Sequence, residues 1–235
     1  MAKTILITGA SSGIGAFVAK LFLDRGWNVG LLARRKDKLD EIAKNNDNSL
    51  CLKCDVSKEK QIENAFELMI DRFGEVNVLF NNAGIFTPQA RIDQIDIKDW
   101  QKSIDVNLTG MFLSAREAFR HMKKNGGRII NNGSISAHTP REGSVPYTTT
   151  KHAITGLTKT IALDGRELNI CCGQIDIGNA NTEMVSNLSH SDHVVETMEV
   201  SDAAEAVWNM AQLPLSTNVL TMTIMANKMP FIGRG

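Results

Sequence analysis

The sequence has no surplus of either charge: 26 Lys and Arg balance 26 Asp and Glu, a formal net charge of zero at pH 7. A nucleic-acid or anionic-membrane partner calls for a basic excess or a polybasic tail, so this balance predicts a small-molecule partner instead. No apolar run approaches the length of about 20 residues that would span a bilayer. Met1-Ala2-Lys3 leads straight into Ile5-Leu6-Ile7, without the apolar stretch and small-residue cleavage site of a signal peptide. Cysteine is scarce, and Cys51, Cys54, Cys171 and Cys172 form two close pairs inside apolar runs rather than a disulfide framework. Together these absences predict a reduced, cytoplasmic protein with neither membrane nor nucleic acid as partner. Tyrosine is scarcest of all: Tyr147 is the only one.

What is present is ordinary for a globular chain. Apolar residues make up 43% and charged residues 22% of 235 positions, enough for a substantial core, and α/β chains of this length often form one domain. Residues 1–235 are therefore expected to form a single unit. Strand-like runs rich in Ile, Leu and Val alternate with helical patterns. Strands are expected at Thr4–Thr8, Asn28–Ala33, Leu50–Lys53, Val76–Asn81, Arg128–Asn132, Ile170–Ile175 and Val219–Met225. Helices are expected at Ile14–Arg25, Lys36–Lys44, Glu59–Phe73, Lys98–Lys124, Val145–Glu167 and Ala203–Gln212. Strands apolar throughout imply helices on both faces, hence a Rossmann-like, doubly wound α/β fold with a seven-stranded parallel sheet. Ligands of such sheets lie beyond the strand C-termini.

The first strand ends in Thr8-Gly9-Ala10-Ser11-Ser12-Gly13-Ile14-Gly15, and a helical apolar pattern begins inside that string. Glycine permits sharp turns and close backbone approach, and the helix N-terminus offers unpaired N–H groups to an anion, so a diphosphate can rest there. A glycine-rich turn alone says little, because any tight strand-to-helix connection favours Gly and Ser. Its place after strand one adds weight. Past the second strand stand Ala33-Arg34-Arg35, where an NAD-binding protein of this fold usually carries an acid for the ribose hydroxyls. Two guanidiniums suit a 2′-phosphate, which favours NADP(H), with Arg34 as the expected main partner. A plain reading remains, in which both begin a solvated basic helix. Asp55, past the third strand, can accept from the adenine amino group, with Val56 beside it also expected at the cofactor, and Asn81-Asn82-Ala83-Gly84, past the fourth, lets backbone approach the cofactor; either alone is also ordinary turn chemistry.

Tyr147 and Lys151 are four residues apart in a helical stretch, so both leave one face of the helix. A phenol with a pKa near about 10 is a poor proton donor or acceptor at neutral pH unless a nearby cation favours the phenolate. Lys151 is that cation. Ser134, just beyond the fifth strand, can hydrogen-bond a carbonyl oxygen. A Tyr-x-x-x-Lys pair alone is more often a surface pair.

With the glycine turn, Asn81–Gly84, Asn107, Ser134, Tyr147 and Lys151 in order, the chain resembles the short-chain dehydrogenase/reductase family over nearly its whole length. The resemblance implies that Gly9, Ser11, Ser12, Gly13, Ile14 and Gly15 hold the cofactor, together with Asn82, Ala83 and Gly84. It implies a catalytic tetrad of Asn107, Ser134, Tyr147 and Lys151. In those roles Tyr147 is general acid for carbonyl reduction and Ser134 orients the carbonyl. Lys151 holds the nicotinamide ribose and lowers the tyrosine pKa, and Asn107 anchors a water in a proton relay. The Ala180 backbone and the Thr182 hydroxyl would contact the nicotinamide carboxamide. The pattern departs where the family's usual Pro-Gly is here Ile177-Gly178, which removes a fixed φ. A homotetramer or homodimer, paired through the helices near Lys98–Lys124 and Val145–Glu167, is likewise implied.

The implied activity is hydride exchange between NADP(H) and a carbonyl or secondary alcohol, with a modest-sized apolar ketone or a 3-oxoacyl thioester as leading substrate. The segment Thr182–Val200 is expected to form a substrate lid, with Met184, Val185 and Leu188 as its apolar face. Ser136–Val145 forms the opposite wall, in which Arg141 is either a partner for an anionic tail or a solvated loop charge. A competing reading is a catalytically weak cofactor-binding sensor or scaffold, against which the intact tetrad argues. Cys51-x-x-Cys54 could suggest redox or zinc chemistry. A redox pair belongs at a helix N-terminus, however, and a zinc site needs two further ligands, so core packing is expected and no metal. His121, His138, His152, His190 and His193 are scattered without metal-like spacing, the last two expected in an exposed loop.

Overall fold

Seven strands line up in the order β3-β2-β1-β4-β5-β6-β7, every adjacent pair parallel. The computed structural model describes residues 2–44, 46–182 and 196–231. Chain order gives β1 (Thr4–Thr8), α1 (Gly13–Asp24), β2 (Asn28–Ala33), α2 (Lys36–Ala43), β3 (Ser49–Lys53), α3 (Glu59–Phe73) and β4 (Val78–Asn81). Then follow α4 (Ile97–Ser103), α5 (Gly110–Met122), β5 (Gly127–Asn132), α6 (Val145–Asp164), β6 (Ile170–Ile177), α7 (Val200–Gln212) and β7 (Thr221–Ile224). Strand order reverses between β1 and β4, and the crevice there opens at the strand C-termini.

The apolar strands bury both faces. Ile5 and Ile7 of β1 join a cluster with Val18 and Phe22 of α1, Leu39 of α2 and Val207 of α7. Leu6, between them, joins the opposite cluster with Phe66 and Met69 of α3 and Leu113 and Ala118 of α5. That alternation is the two-residue period of a strand, and it produces two apolar layers with one sheet between them.

Several strand and helix ends shift by one to three residues, β4 starting at Val78, β6 running to Ile177, β7 spanning Thr221–Ile224 and α7 starting at Val200, and three expectations need further correction. The helical stretch from Lys98 to Lys124 is not one regular helix: a π-helical turn, Ile104–Thr109, separates α4 from α5. Such turns displace the backbone ladder by one residue and often mark functional sites; here the turn carries Asn107. The stretch ending at Glu167 closes earlier, because α6 stops at Asp164 and a separate 3-10 turn, Arg166–Leu168, leads into β6. The segment expected as a lid does not run to Val200: Met198 bridges Ala180, and Val200 begins α7 with its side chain in the core. Met184, Val185, Leu188, His190 and His193 lie outside the described residues.

Candidate active site

The glycine turn between β1 and α1 is shaped by what surrounds it. Gly9 has φ +67°, and a Cβ there would stand 2.9 Å from the Ala83 Cα. Gly15 faces Gly9 so closely that a Cβ would meet its carbonyl oxygen at 2.5 Å. Neither position has room for a side chain, which brings the turn flush against the loop after β4. Asn82 joins the two: its amide nitrogen donates to the carbonyls of Thr8 and Gly9, and its backbone N–H donates to the Thr8 hydroxyl. Asn81 turns the other way and is buried, donating to the Met111 carbonyl.

A cavity of about 810 Å³ runs along this surface. Its wall includes Gly9, Ser11, Ser12, Gly13, Ile14, Arg34, Arg35, Asp55, Val56, Asn82, Ala83, Gly84, Tyr147, Lys151 and Thr182. All but four of the expected site residues therefore meet in one place. Gly15 supports the turn from behind. Asn107 and Ser134 are buried beside the far end, and Ala180 is a core residue bridged to Met198. Of the two arginines, Arg35 is the one tied to the turn, donating to Ser11 Oγ at 3.2 Å and Ser12 Oγ at 3.0 Å. Arg34 lines the same cavity and is exposed. Asp55 caps its own loop, accepting from the backbone N–H and hydroxyl of Ser57.

The far end gathers the titratable groups. Tyr147 sits in the first turn of α6, where Pro146 suits a position that needs no backbone donor. Lys151 follows one turn later, its Nζ 5.4 Å from the Tyr147 ring centre and donating to the Asn132 carbonyl at 2.7 Å. Burial brings the Lys151 ammonium down to about 8, with the charge of Asp176 pulling the other way. Burial pushes the Tyr147 phenol above its ordinary range. A hydrogen bond from Ser134 and the charge of Arg141 oppose that rise, and Asp176 reinforces it. Ser134 is poised for this: its oxygen accepts from the Ser136 backbone N–H, leaving its own hydrogen for the phenol or a carbonyl.

Asn107 holds the floor. Its Oδ1 accepts from the Ile85 N–H at 2.8 Å, and its Nδ2 donates to the Ile85 carbonyl at 2.9 Å and to Ser103 Oγ at 3.2 Å. With both ends of the amide engaged, the side chain fixes the loop after β4 beside the site. Ile177, where a proline was expected, stays in register opposite Ile224 and is buried, so β6 keeps its ladder to the last residue. Cys51 and Cys54 are free thiols raised to about 11 and about 12, by burial first, which disfavours the reactive thiolate.

Sequence reasoning passed over Phe86 and Asn132 and left the role of Arg141 open. Phe86 stacks obliquely on Tyr147 with ring centres 4.1 Å apart, and Arg141 is held by Asn179 at 2.8 Å in a small recess beside the same tyrosine. Arg141 thus lines that recess, partly buried. Asn132 donates to Asn82 Oδ1, while its own Oδ1 is buried without a partner in the cavity wall. An orphan acceptor, a turn with no room for side chains and a pair of guanidiniums form a donor and acceptor set that fits a phosphate-bearing dinucleotide.

The comparisons agree with this geometry. Serine 3-dehydrogenase of Agrobacterium fabrum (strain C58) is 28% identical over 99% of this chain and 97% of its own length. Glucose 1-dehydrogenase 2 of Bacillus subtilis (strain 168) is 34% identical over 77% of this chain and 73% of its own. A 3-ketoacyl-(acyl-carrier-protein) reductase from Brucella melitensis, solved with NADH, superposes with a TM-score of 0.88 at 26% identity, over 94% of this chain and 96% of that one. A closed serine dehydrogenase solved with NADP+ gives the same TM-score, 0.88, at 26% identity over 94% of each chain. The family model for short chain dehydrogenase matches residues 3–193. The chain belongs to the short-chain dehydrogenase/reductase family and is an oxidoreductase built for a nicotinamide cofactor.

Proposed function

We propose that the protein reduces a ketone with NADPH, the reverse reaction being oxidation of a secondary alcohol. The observation that carries this reading is the meeting of Ser134, Tyr147 and Lys151 at one end of a cavity whose other end is the glycine turn. The bound cofactor supplies the hydride. Ser134 and Tyr147 hydrogen-bond the carbonyl oxygen, and the phenol gives it a proton as negative charge develops there. Lys151 places a cation beside the ring and close to where a ribose would lie.

The choice of NADP(H) rests on Arg34 and Arg35 at the end of β2, where no carboxylate stands. Ile85, Phe86, Pro88 and Val106 give the substrate end an apolar wall, which suits a modest-sized apolar ketone, with a 3-oxoacyl thioester as the leading case. Exposed Phe112 on α5 and Leu163 on α6 support assembly into a homodimer or homotetramer through those helices.

The test is a purified enzyme with NADPH or NADH and a panel of aliphatic ketones, aryl ketones, 3-oxoacyl thioesters and sugars. Turnover of a ketone or thioester with preference for NADPH is expected. Turnover of sugars alone, or equal affinity for both cofactors, would overturn the corresponding half of the reading. Light scattering at micromolar concentration is expected to exceed the 25.8 kDa of one chain; a monomer there would refute the assembly.

A further inference from the structure

The buried end of β6 carries a carboxylate to which the catalytic tetrad gives no task. Asp176 is 0% exposed. Its Oδ1 accepts from the Ser134 backbone N–H at 2.9 Å and from Gln174 Nε2 at 2.6 Å, and its Oδ2 lies 2.7 Å from His138 Nε2. Gly133 lets it come this close, because a Cβ there would run into Asp176 Oδ1. A buried carboxylate is costly unless hydrogen-bonded, and here the turn that presents Ser134 is folded around it. His138, whose side chain is 41% exposed, covers it from the solvent side.

We propose that Asp176 and His138 form a positioning pair for the catalytic hydroxyls: the carboxylate locks the Ser134 turn and sets a negative charge near Tyr147, while His138 shields that carboxylate from water. The proposal rests on the reading of Tyr147 and Ser134 as the proton donor and orienter of a carbonyl reductase. The titratable groups that feel the Asp176 charge are Tyr147 and Lys151 from α6, and Arg141 from the preceding loop acts on the same Tyr147 with opposite sign. Gln174 on β6 and Thr223, the residue opposite Asp176 on β7, are neutral.

The charge acts on both members of the Tyr-x-x-x-Lys pair, opposing the phenolate and supporting the ammonium. The direct effect on Tyr147 favours the protonated phenol, the state that carbonyl reduction uses. In the reverse direction the phenolate must form against the same charge, so alcohol oxidation requires higher pH. Asp176 thereby biases the site toward reduction without touching the substrate.

Because Tyr147 is the only tyrosine, carbon NMR of protein labelled at the tyrosine ring titrates this phenol alone, with neither substrate nor cofactor. Asp176→Asn keeps an acceptor for the Ser134 N–H and removes the charge, and is expected to lower the Tyr147 midpoint by on the order of one pH unit. His138→Ala lets water screen the carboxylate and is expected to move the midpoint the same way by less. Should Asp176→Asn fail to fold, the exposed His138→Ala decides alone. An unchanged midpoint in the folded variants overturns the proposal, as does lost reductase activity with the midpoint in place. A shifted midpoint in an enzyme that reduces no carbonyl would uphold the pair and reject the reductase reading.

Discussion

The two ends of the cavity bind by opposite means. At the β1–β3 end the contacts are backbone and exposed cations: a turn without side chains, and Arg35 resting on two serine hydroxyls. At the β4–β6 end the groups are buried: Lys151 and the Ser134 turn, with Asp176 behind them and half-buried Tyr147 at their edge. Exposed charges interact through water and change little on their neighbours' account, whereas buried ones shift one another's ionisation. The cofactor end is therefore expected to lose function through shape and the chemical end through charge.

Four predictions sharpen or break this contrast. The largest effect is expected from Tyr147→Phe, which removes only the hydroxyl. Turnover should fall by roughly 10²–10⁴-fold, the range for losing a general acid, with NADPH affinity nearly intact. Steady-state rates beside a fluorescence titration of NADPH check both halves, and substantial residual turnover would reject Tyr147 as the acid.

Gly9→Ala comes next. It forces φ +67° on a residue with a Cβ and drives that Cβ against Ala83. A loss of about 1–3 kcal/mol in stability, the range for backbone strain at such a position, should accompany weakened cofactor binding. Denaturant unfolding measures the first and titration the second; a stable variant with full affinity would contradict the account of the turn.

Arg34→Ala and Arg35→Ala are expected to weaken NADPH roughly tenfold each, as one charge-assisted contact to a phosphate would, and Arg34→Ala to spare NADH. Arg35 also braces Ser11 and Ser12, so its removal should disturb NADH binding more than removal of Arg34 does. Equal losses for the two cofactors in the Arg34 variant would mean that no 2′-phosphate is read there.

The smallest effect is a proton count. With Lys151 held at about 8 by burial, part of the free enzyme has lost that proton in mildly alkaline solution. An anionic cofactor restores it, so binding near that pH should take up a fraction of a proton, seen calorimetrically in buffers of different ionisation enthalpy and absent in Lys151→Met. The same shift has a sign for stability. Between about 8 and the ordinary 10.5 the unfolded chain holds a proton that the folded chain has released, so this group makes stability rise with pH across that window.

How much of the site the sequence revealed depends on how local each signal was. The glycine turn, Arg34 and Arg35, and the Tyr147–Lys151 spacing are contiguous strings whose meaning survives without tertiary contacts. Asp176 was invisible for the opposite reason. It sits in the run Ile175-Asp176-Ile177, which reads as strand, and its partners Ser134 and His138 are 42 and 38 residues away. The available hint was a lone carboxylate at the C-terminal end of an apolar strand, the edge where such sheets bind ligands. Phe86 and Asn132 gave no signal, because an aromatic after a strand and an amide within one are unremarkable until something is packed against them. The π-helical turn at Asn107 was hidden by helical periodicity continuing through it.

By itself the sequence determined the parallel sheet, its two apolar layers and the class of chemistry. Those follow from the alternation of apolar runs with amphipathic helices and from motif residues with short-range geometry. Only the tertiary structure decided which arginine braces the turn, that the Asn107 amide is committed to Ile85, and that a buried carboxylate stands behind the Ser134 turn. These depend on which side chains strand order brings together and on how far burial removes them from water, and neither quantity can be read along a single strand.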